Sequence, residues 1–152
     1  MVAVSLKKKE MSFALTVPRY ARPDDGALRF TPFGAAQSWS EAYGALAARR
    51  HDLVLGEPST TRFTYRYTLP PGWEVVEVPE AASADGRYAG FEVRYRREGG
   101  VLVAEGHVTL RGSRVPADEY PALRELLGRL DRAFARTVRI APARAAAAEV
   151  TP

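Results

Sequence analysis

The residues in this chain with the strongest claim to chemistry are Glu105, His107 and Thr109, which alternate along one stretch and therefore project from one side of an extended strand. A histidine beside a carboxylate can act as a general acid or base. Strand alternation also produces such trios as an ordinary polar face, and that is the expectation adopted for them. His51, in Arg49-Arg50-His51-Asp52, has no second imidazole at helical spacing and reads as a surface or capping residue. Gly112-Ser113 lacks the Gly-x-Ser-x-Gly context of a nucleophile elbow and reads as a turn. Glu77 and Glu80 flank Val78-Pro79, where a glycosidase would need two carboxylates facing each other across a cleft, but Glu77 reads as an outward strand residue. No glycine-rich phosphate loop lies between a strand and a helix. There is no cysteine, so thiolate nucleophiles, thiolate metal sites and disulfides are excluded from this chain. The sequence thus predicts a non-catalytic protein with no cofactor and no metal site.

These residues sit in a chain of 152 residues, enough for one domain with a real core. The 22 basic and 18 acidic residues leave a formal charge of +4, and all three lysines lie in the run Lys7-Lys8-Lys9. Nucleic-acid binders place basic and aromatic side chains on a shared face. Here the two classes separate: in Arg62 to Leu69, alternation puts Phe63, Tyr65, Tyr67 and Leu69 on one side and Arg62 and Arg66 on the other. The aromatic side reads as core, the arginine side as a solvated strand face, and no nucleic-acid partner is expected. No stretch approaches the roughly 18 apolar residues that cross a bilayer, and no apolar segment follows the N-terminal charges, so neither membrane insertion nor a signal peptide is expected. A piece cut from a larger exported protein would read the same way.

Elements follow from periodicity. Ser12 to Val17 alternates and stops at Pro18, predicting a first strand that forms a hairpin with Leu28 to Phe33 across turn residues Arg22 to Gly26. Ser38-x-x-Glu41 resembles a capping box, and a short helix is expected near 40–49. Leu53 to Leu55, residues 62–69 and Trp73 to Val78 read as strands, the last returning from the 62–69 strand across Pro70-Pro71-Gly72. Phe91 to Arg96 and Val101 to Leu110 form a hairpin through Gly99-Gly100. Tyr120, Leu123, Leu127, Leu130 and Phe134 then recur at helical spacing, with Asp118 as N-cap and Pro121 in the first turn, predicting a helix over about 118–136. Val138 to Ile140 is expected to close a sheet as an edge strand. The fold class is mainly β: an antiparallel, immunoglobulin-like β-sandwich over 12–140 with one amphipathic C-terminal helix, a flexible segment at 1–11 and a disordered tail at 141–152.

One ordered series of words stands out: Arg50-x-x-Leu53, Pro58, Tyr67-x-Leu69-Pro70-x-Gly72-Trp73-x-Val75, Pro79, Phe91, Tyr95, Leu102 and Val115-Pro116-x-x-Glu119-Tyr120-x-x-Leu123-Arg124. It resembles the C-terminal β-rich domain of unknown function that follows a transglutaminase-like core in certain bacterial, mostly exported, multidomain proteins. The resemblance implies an accessory domain and a protein partner. Such cores use a cysteine thiolate activated by histidine and oriented by aspartate, so catalysis would belong to another segment. Trp39, Trp73 and Tyr88 are the aromatic anchors expected at an interface, although Trp73 also reads as core. The alternative is a small hydrophobic-ligand carrier in which the sheet grips the late helix around an apolar cavity. The sequence assigns no oligomeric state.

Overall fold

The computed structural model describes residues 19–34 and 38–143. The predicted strand Ser12 to Val17, the lysine run Lys7-Lys8-Lys9 and the alanine-rich end at 145–148 lie outside the described residues. Ten strands and two helices follow in the order β1 Arg22–Asp24, β2 Ala27–Phe30, α1 Trp39–Tyr43, β3 Leu53–Val54, β4 Ser59–Thr68, β5 Trp73–Glu77, β6 Ala82–Asp85, β7 Ala89–Glu98, β8 Val101–Leu110, β9 Arg114–Val115, α2 Tyr120–Phe134 and β10 Val138–Pro142. Every strand pairing described is antiparallel. The larger sheet runs β4-β8-β7-β6 and the smaller β1-β2-β10-β5, with β3 and β9 forming a two-stranded ladder.

The hairpin of β7 and β8 forms where alternation and Gly99-Gly100 place it, with Gly99 at φ +57. Its inward residues Phe91, Val93, Leu102, Ala104, Val108 and Leu110 are buried. Other local signals led to different partners. Arg22 to Asp24 is a strand rather than a turn. The reversal is only Asp25-Gly26, both at positive φ, as a two-residue loop with the twist of its flanking strands requires. Pro70 to Gly72 does turn the chain, with Trp73 N–H donating to Pro70 O and Gly72 at φ +76. However, β5 does not return along β4: it leaves for the smaller sheet and pairs with β10. β10 is likewise not an edge strand, since it lies between β2 and β5, and it extends to Pro142. Ala143 N–H continues the contact by donating to Gly72 O.

The two sheets face each other through Phe30, Val75, Val138 and Ile140 from one and Leu102, Tyr67 and Tyr95 from the other. This is a sandwich-like arrangement. α2 covers the rest of the larger sheet, lying across β6 and β7 with Tyr120, Leu123, Leu126, Leu127, Leu130, Ala133 and Phe134 buried. That stripe meets Phe91, Val93, Ala104 and Phe33 within one apolar cluster, so side chains occupy the space that a helix-grip carrier would keep open. The helix starts at Tyr120 with Pro121 in its first turn, but its N-cap is Glu119 without a side-chain cap bond, not Asp118. α1 is only five residues long and ends at Gly44 rather than running through the alanines to 49. One half of the predicted capping box is present, with Glu41 N–H donating to Ser38 Oγ.

The packing of α2 on the β6–β7 connection is close enough to test. A Cβ on Gly86 would come within 2.8 Å of Leu126 Cδ1, and Leu126 is buried. Gly86→Ala is therefore expected to destabilise the protein by about 1 kcal/mol in urea titration, an overpacking cost that Leu126→Ala in the same chain should relieve.

Candidate functional site

Alternation sends the even-numbered residues of β4 and β7 and the odd-numbered residues of β8 to the outer face of the larger sheet. Charged side chains dominate that face, and the antiparallel register decides which of them meet. Arg62, His107 and Glu92 share one row, Thr64, Glu105 and Arg94 the next, and Arg66, Val103 and Arg96 the one after. The result is a continuous alternating chain of ion pairs. Arg66 contacts Glu98 at 2.8 Å, Glu98 contacts Arg96, Arg96 reaches Glu105 at 3.1 Å, and Glu105 meets Arg94 at 3.1 Å. Arg94 lies 3.9 Å from Glu92, which in turn lies 3.9 Å from His107 Nδ1. Val103, fully buried on this polar side, lies directly across from Arg66 on β4 and Arg96 on β7.

The trio Glu105, His107 and Thr109 does share this face, but the residues are not brought together as a unit. Neighbours directly across an antiparallel pair are closer than residues two apart along one strand, so each member engages a partner on another strand. Glu105 binds Arg94 and Arg96, His107 faces Glu92, and Thr109 Oγ1 lies 3.2 Å from Thr60 Oγ1. The Arg96 guanidinium, hydrogen-bonded to Glu105, holds the Glu105 carboxyl below its ordinary range against a smaller opposing effect of burial, and Arg94 adds to this. A carboxylate stabilised in its ionised form is a poor proton acceptor near neutrality. The cleft over these rows measures about 210 Å³ and is lined by Arg62, Thr64, Glu92, Arg94, Glu105 and His107.

The other singled-out residues lie apart. Trp39 is 5% exposed and stacks on Tyr43 at 6.1 Å between centroids, so it is a core residue and not a surface anchor. Trp73 is half-buried against the second apolar cluster, whereas Tyr88 is half-buried against the first, with the Arg87 guanidinium 5.4 Å from its ring centroid. The three aromatics do not share one cluster. His51 is exposed, and Ser113 contributes its carbonyl to Leu55 N–H. Glu77 points outward as expected and pairs with Arg29 at 3.1 Å. With Glu80 it borders a separate cleft of about 520 Å³ beside Arg136 and Thr137. Among the described residues, no group of three His, Asp or Glu side chains is placed to hold a metal ion, and no helix is long and apolar enough to cross a membrane.

Local periodicity passed over Glu92, Arg94, Arg96 and Glu98 because their significance lies in cross-strand register. It also missed Asp131, whose carboxylate accepts from Ser38 Oγ, Trp39 N–H and Ser40 N–H at 2.8, 2.9 and 3.0 Å and so ties α1 to α2.

Two comparisons bear on this arrangement. Residues 27–140 match the model of a family described as a domain of unknown function with a solved structure, DUF3858. Among solved structures, the fold is similar to part of a protein from Parabacteroides distasonis ATCC 8503 described as a "putative protease", with a TM-score of 0.60 and 17% sequence identity over 76% of this chain. This chain spans 23% of that one. No curated protein matches.

Proposed function

Because the chain belongs to the DUF3858 family of domains of unknown function, we propose that it is a non-catalytic accessory domain that packs against, or extends, a transglutaminase-like protein and mediates contacts within it or with a protein partner. The observation that carries this reading is one of proportion: a domain of this fold makes up under a quarter of a larger polypeptide described as a "putative protease". The ordered words from Arg50 to Arg124 support the transglutaminase association. Acyl transfer of the kind such a core performs needs an activated nucleophile, a base and oxyanion donors. This chain has no cysteine, and on its charged face the carboxylates are already engaged with arginines. The reaction is assigned to a neighbouring segment for that reason.

The test uses the full chain alone and the same chain fused to the cysteine-bearing core of a transglutaminase-like protein that carries a domain of this family. The isolated chain is expected to turn over neither casein nor a glutamine donor with an amine acceptor. The fused core is expected to melt several degrees above the core alone, with activity that depends on the core's cysteine. Turnover by the isolated chain that His107→Ala abolishes would overturn the proposal, and so would a core whose melting temperature ignores the domain.

A further inference from the structure

The outer strands of the two four-stranded sheets are protected unequally. β1 has three residues including Pro23, and β6 has four. β5 has five, and its register against β10 breaks so that Val76 has no partner and bulges outward, 42% exposed. Short length, proline and bulges are three of the devices by which sheets close their edges, charged side chains being another. β4 has none of the first three and carries Arg62 and Arg66 as its charges. It runs ten residues without proline or bulge, in unbroken register with β8 from Ser59↔Leu110 to Thr68↔Val101, and no other described strand pairs with it.

The geometry of that edge follows from one bond. Leu69 N–H donates to Gly100 O at 2.8 Å, which makes the odd-numbered residues of β4 the ones that exchange hydrogen bonds with β8. The even-numbered residues Thr60, Arg62, Thr64, Arg66 and Thr68 therefore turn their N–H and C=O groups toward the open side. Inward-pointing Phe63, Tyr65 and Tyr67 remain only half-buried, although they lie on the core face. On the outer face, Arg66 is paired with Glu98, whereas Arg62 has no carboxylate partner among the described residues.

We propose that β4 is a docking edge that takes an extended strand of a partner polypeptide, one with apolar side chains on its inner side and a carboxylate opposite Arg62 on its outer side. Backbone hydrogen bonds supply the affinity, the half-buried aromatics receive the apolar side chains, and Arg62 selects the charge. A second copy of this chain fits poorly. Antiparallel pairing centred on Thr64 sets Arg62 against Arg66 of the other copy, and pairing centred on Phe63 leaves Arg62 opposite a threonine. In this chain's own N-terminal segment, Ser12 to Val17 carries no carboxylate but Glu10 lies two residues before it, so that segment is one of the outcomes the experiment separates. The inference deepens the accessory reading by naming a contact surface and rests on that reading only for where the partner strand comes from.

The probe is a fluorescein-labelled ten-residue peptide of alternating valine and threonine with one central glutamate, compared with its central-lysine counterpart by anisotropy against the full chain. The glutamate peptide is expected to bind saturably and at least about tenfold more tightly than the lysine peptide. Thr64→Pro, which removes an outward N–H at an edge position where proline is tolerated, should weaken it by at least about tenfold. Arg62→Glu should reverse the preference between the two peptides, and this readout stands even if the proline variant fails to fold. No saturable binding, or binding indifferent to the Arg62→Glu reversal, overturns the proposal. A micromolar dimer that Thr64→Pro dissociates would give the edge to a second copy, and peptide binding seen only with Phe13→Glu/Leu15→Glu would give it to this chain's own N-terminal segment; either overturns it. Turnover by the isolated chain would sink the accessory reading without touching this edge, and failure of the peptide would do the reverse.

Discussion

Phe134→Ala is expected to remove about 4 kcal/mol of stability and to lower the melting temperature by roughly 10–15 °C, read by circular dichroism and urea titration. Phe134 is 5% exposed at the C-terminal end of α2, where the helix meets the larger sheet and the segment leading into α1. Its ring lies 4.8 Å from Phe33 and packs edge-on to Phe63 at 5.7 Å between centroids. Removing it leaves a cavity bounded by three elements that cannot all collapse inward together, which places the cost toward the upper part of the large-to-small range. The same ring explains Gly106 in the middle of β8, since a Cβ there would lie 3.1 Å from Phe134 Cζ and 3.4 Å from Phe33 Cε1. Gly106→Ala should therefore destabilise the parent chain and cost less, or stabilise, once Phe134 is alanine. A double-mutant cycle measures that coupling, and independent effects at the two positions would contradict the packing.

Asp131→Ala is expected to cost about 2 kcal/mol, and its effect should be local as well as global. At five residues, α1 is too short to persist by itself. Its first turn is held by a carboxylate from α2, which takes two backbone N–H groups and the Ser38 hydroxyl in the manner of a shared N-cap. Trp39, buried in that turn, reports the loss: its fluorescence should shift to longer wavelength before the sheets unfold. Burial pushes the Asp131 carboxyl up, but the backbone donors of Ser40 and Trp39 together with Ser38 Oγ outweigh it and hold the group below its ordinary range. A carboxyl depressed in the folded state contributes stability that is complete above its unfolded pKa, about 3.9, and is lost as pH falls through the lower folded value. Stability should thus drop in acid below about pH 4 in the parent chain, with a shallower drop in Asp131→Asn, whose side chain cannot ionise. An identical acid profile in the two would remove Asp131 from the acid-sensitive set.

Short-range pattern carried much of the fold. The hairpin of β7 and β8 was legible because its alternation and its Gly-Gly reversal act within twenty residues, and α2 because Tyr120, Leu123, Leu127, Leu130 and Phe134 keep one helical stripe whatever they pack against. Placement of Phe63, Tyr65 and Tyr67 on the core side, away from Arg62 and Arg66, followed from the same alternation. The charged face was legible only in part. The sequence places Glu105 and His107 on one side of a strand, but whether they meet each other or Arg94 and Glu92 depends on the neighbouring strand and its register.

By itself, then, the sequence determined the mainly β class, the amphipathic C-terminal helix and the absence of any thiol chemistry in this chain, because these depend on residue type and on periods of two and 3.6 residues. Only the tertiary structure decided that β5 leaves β4 to pair with β10, that β10 lies inside its sheet, that Trp39 is buried under a turn clamped by Asp131, and that β4 alone among the described outer strands runs ten residues without proline or bulge. Each of these depends on contacts between segments far apart along the chain. A strand's hydrogen-bonding edges look the same to every candidate partner until packing of the side chains selects one.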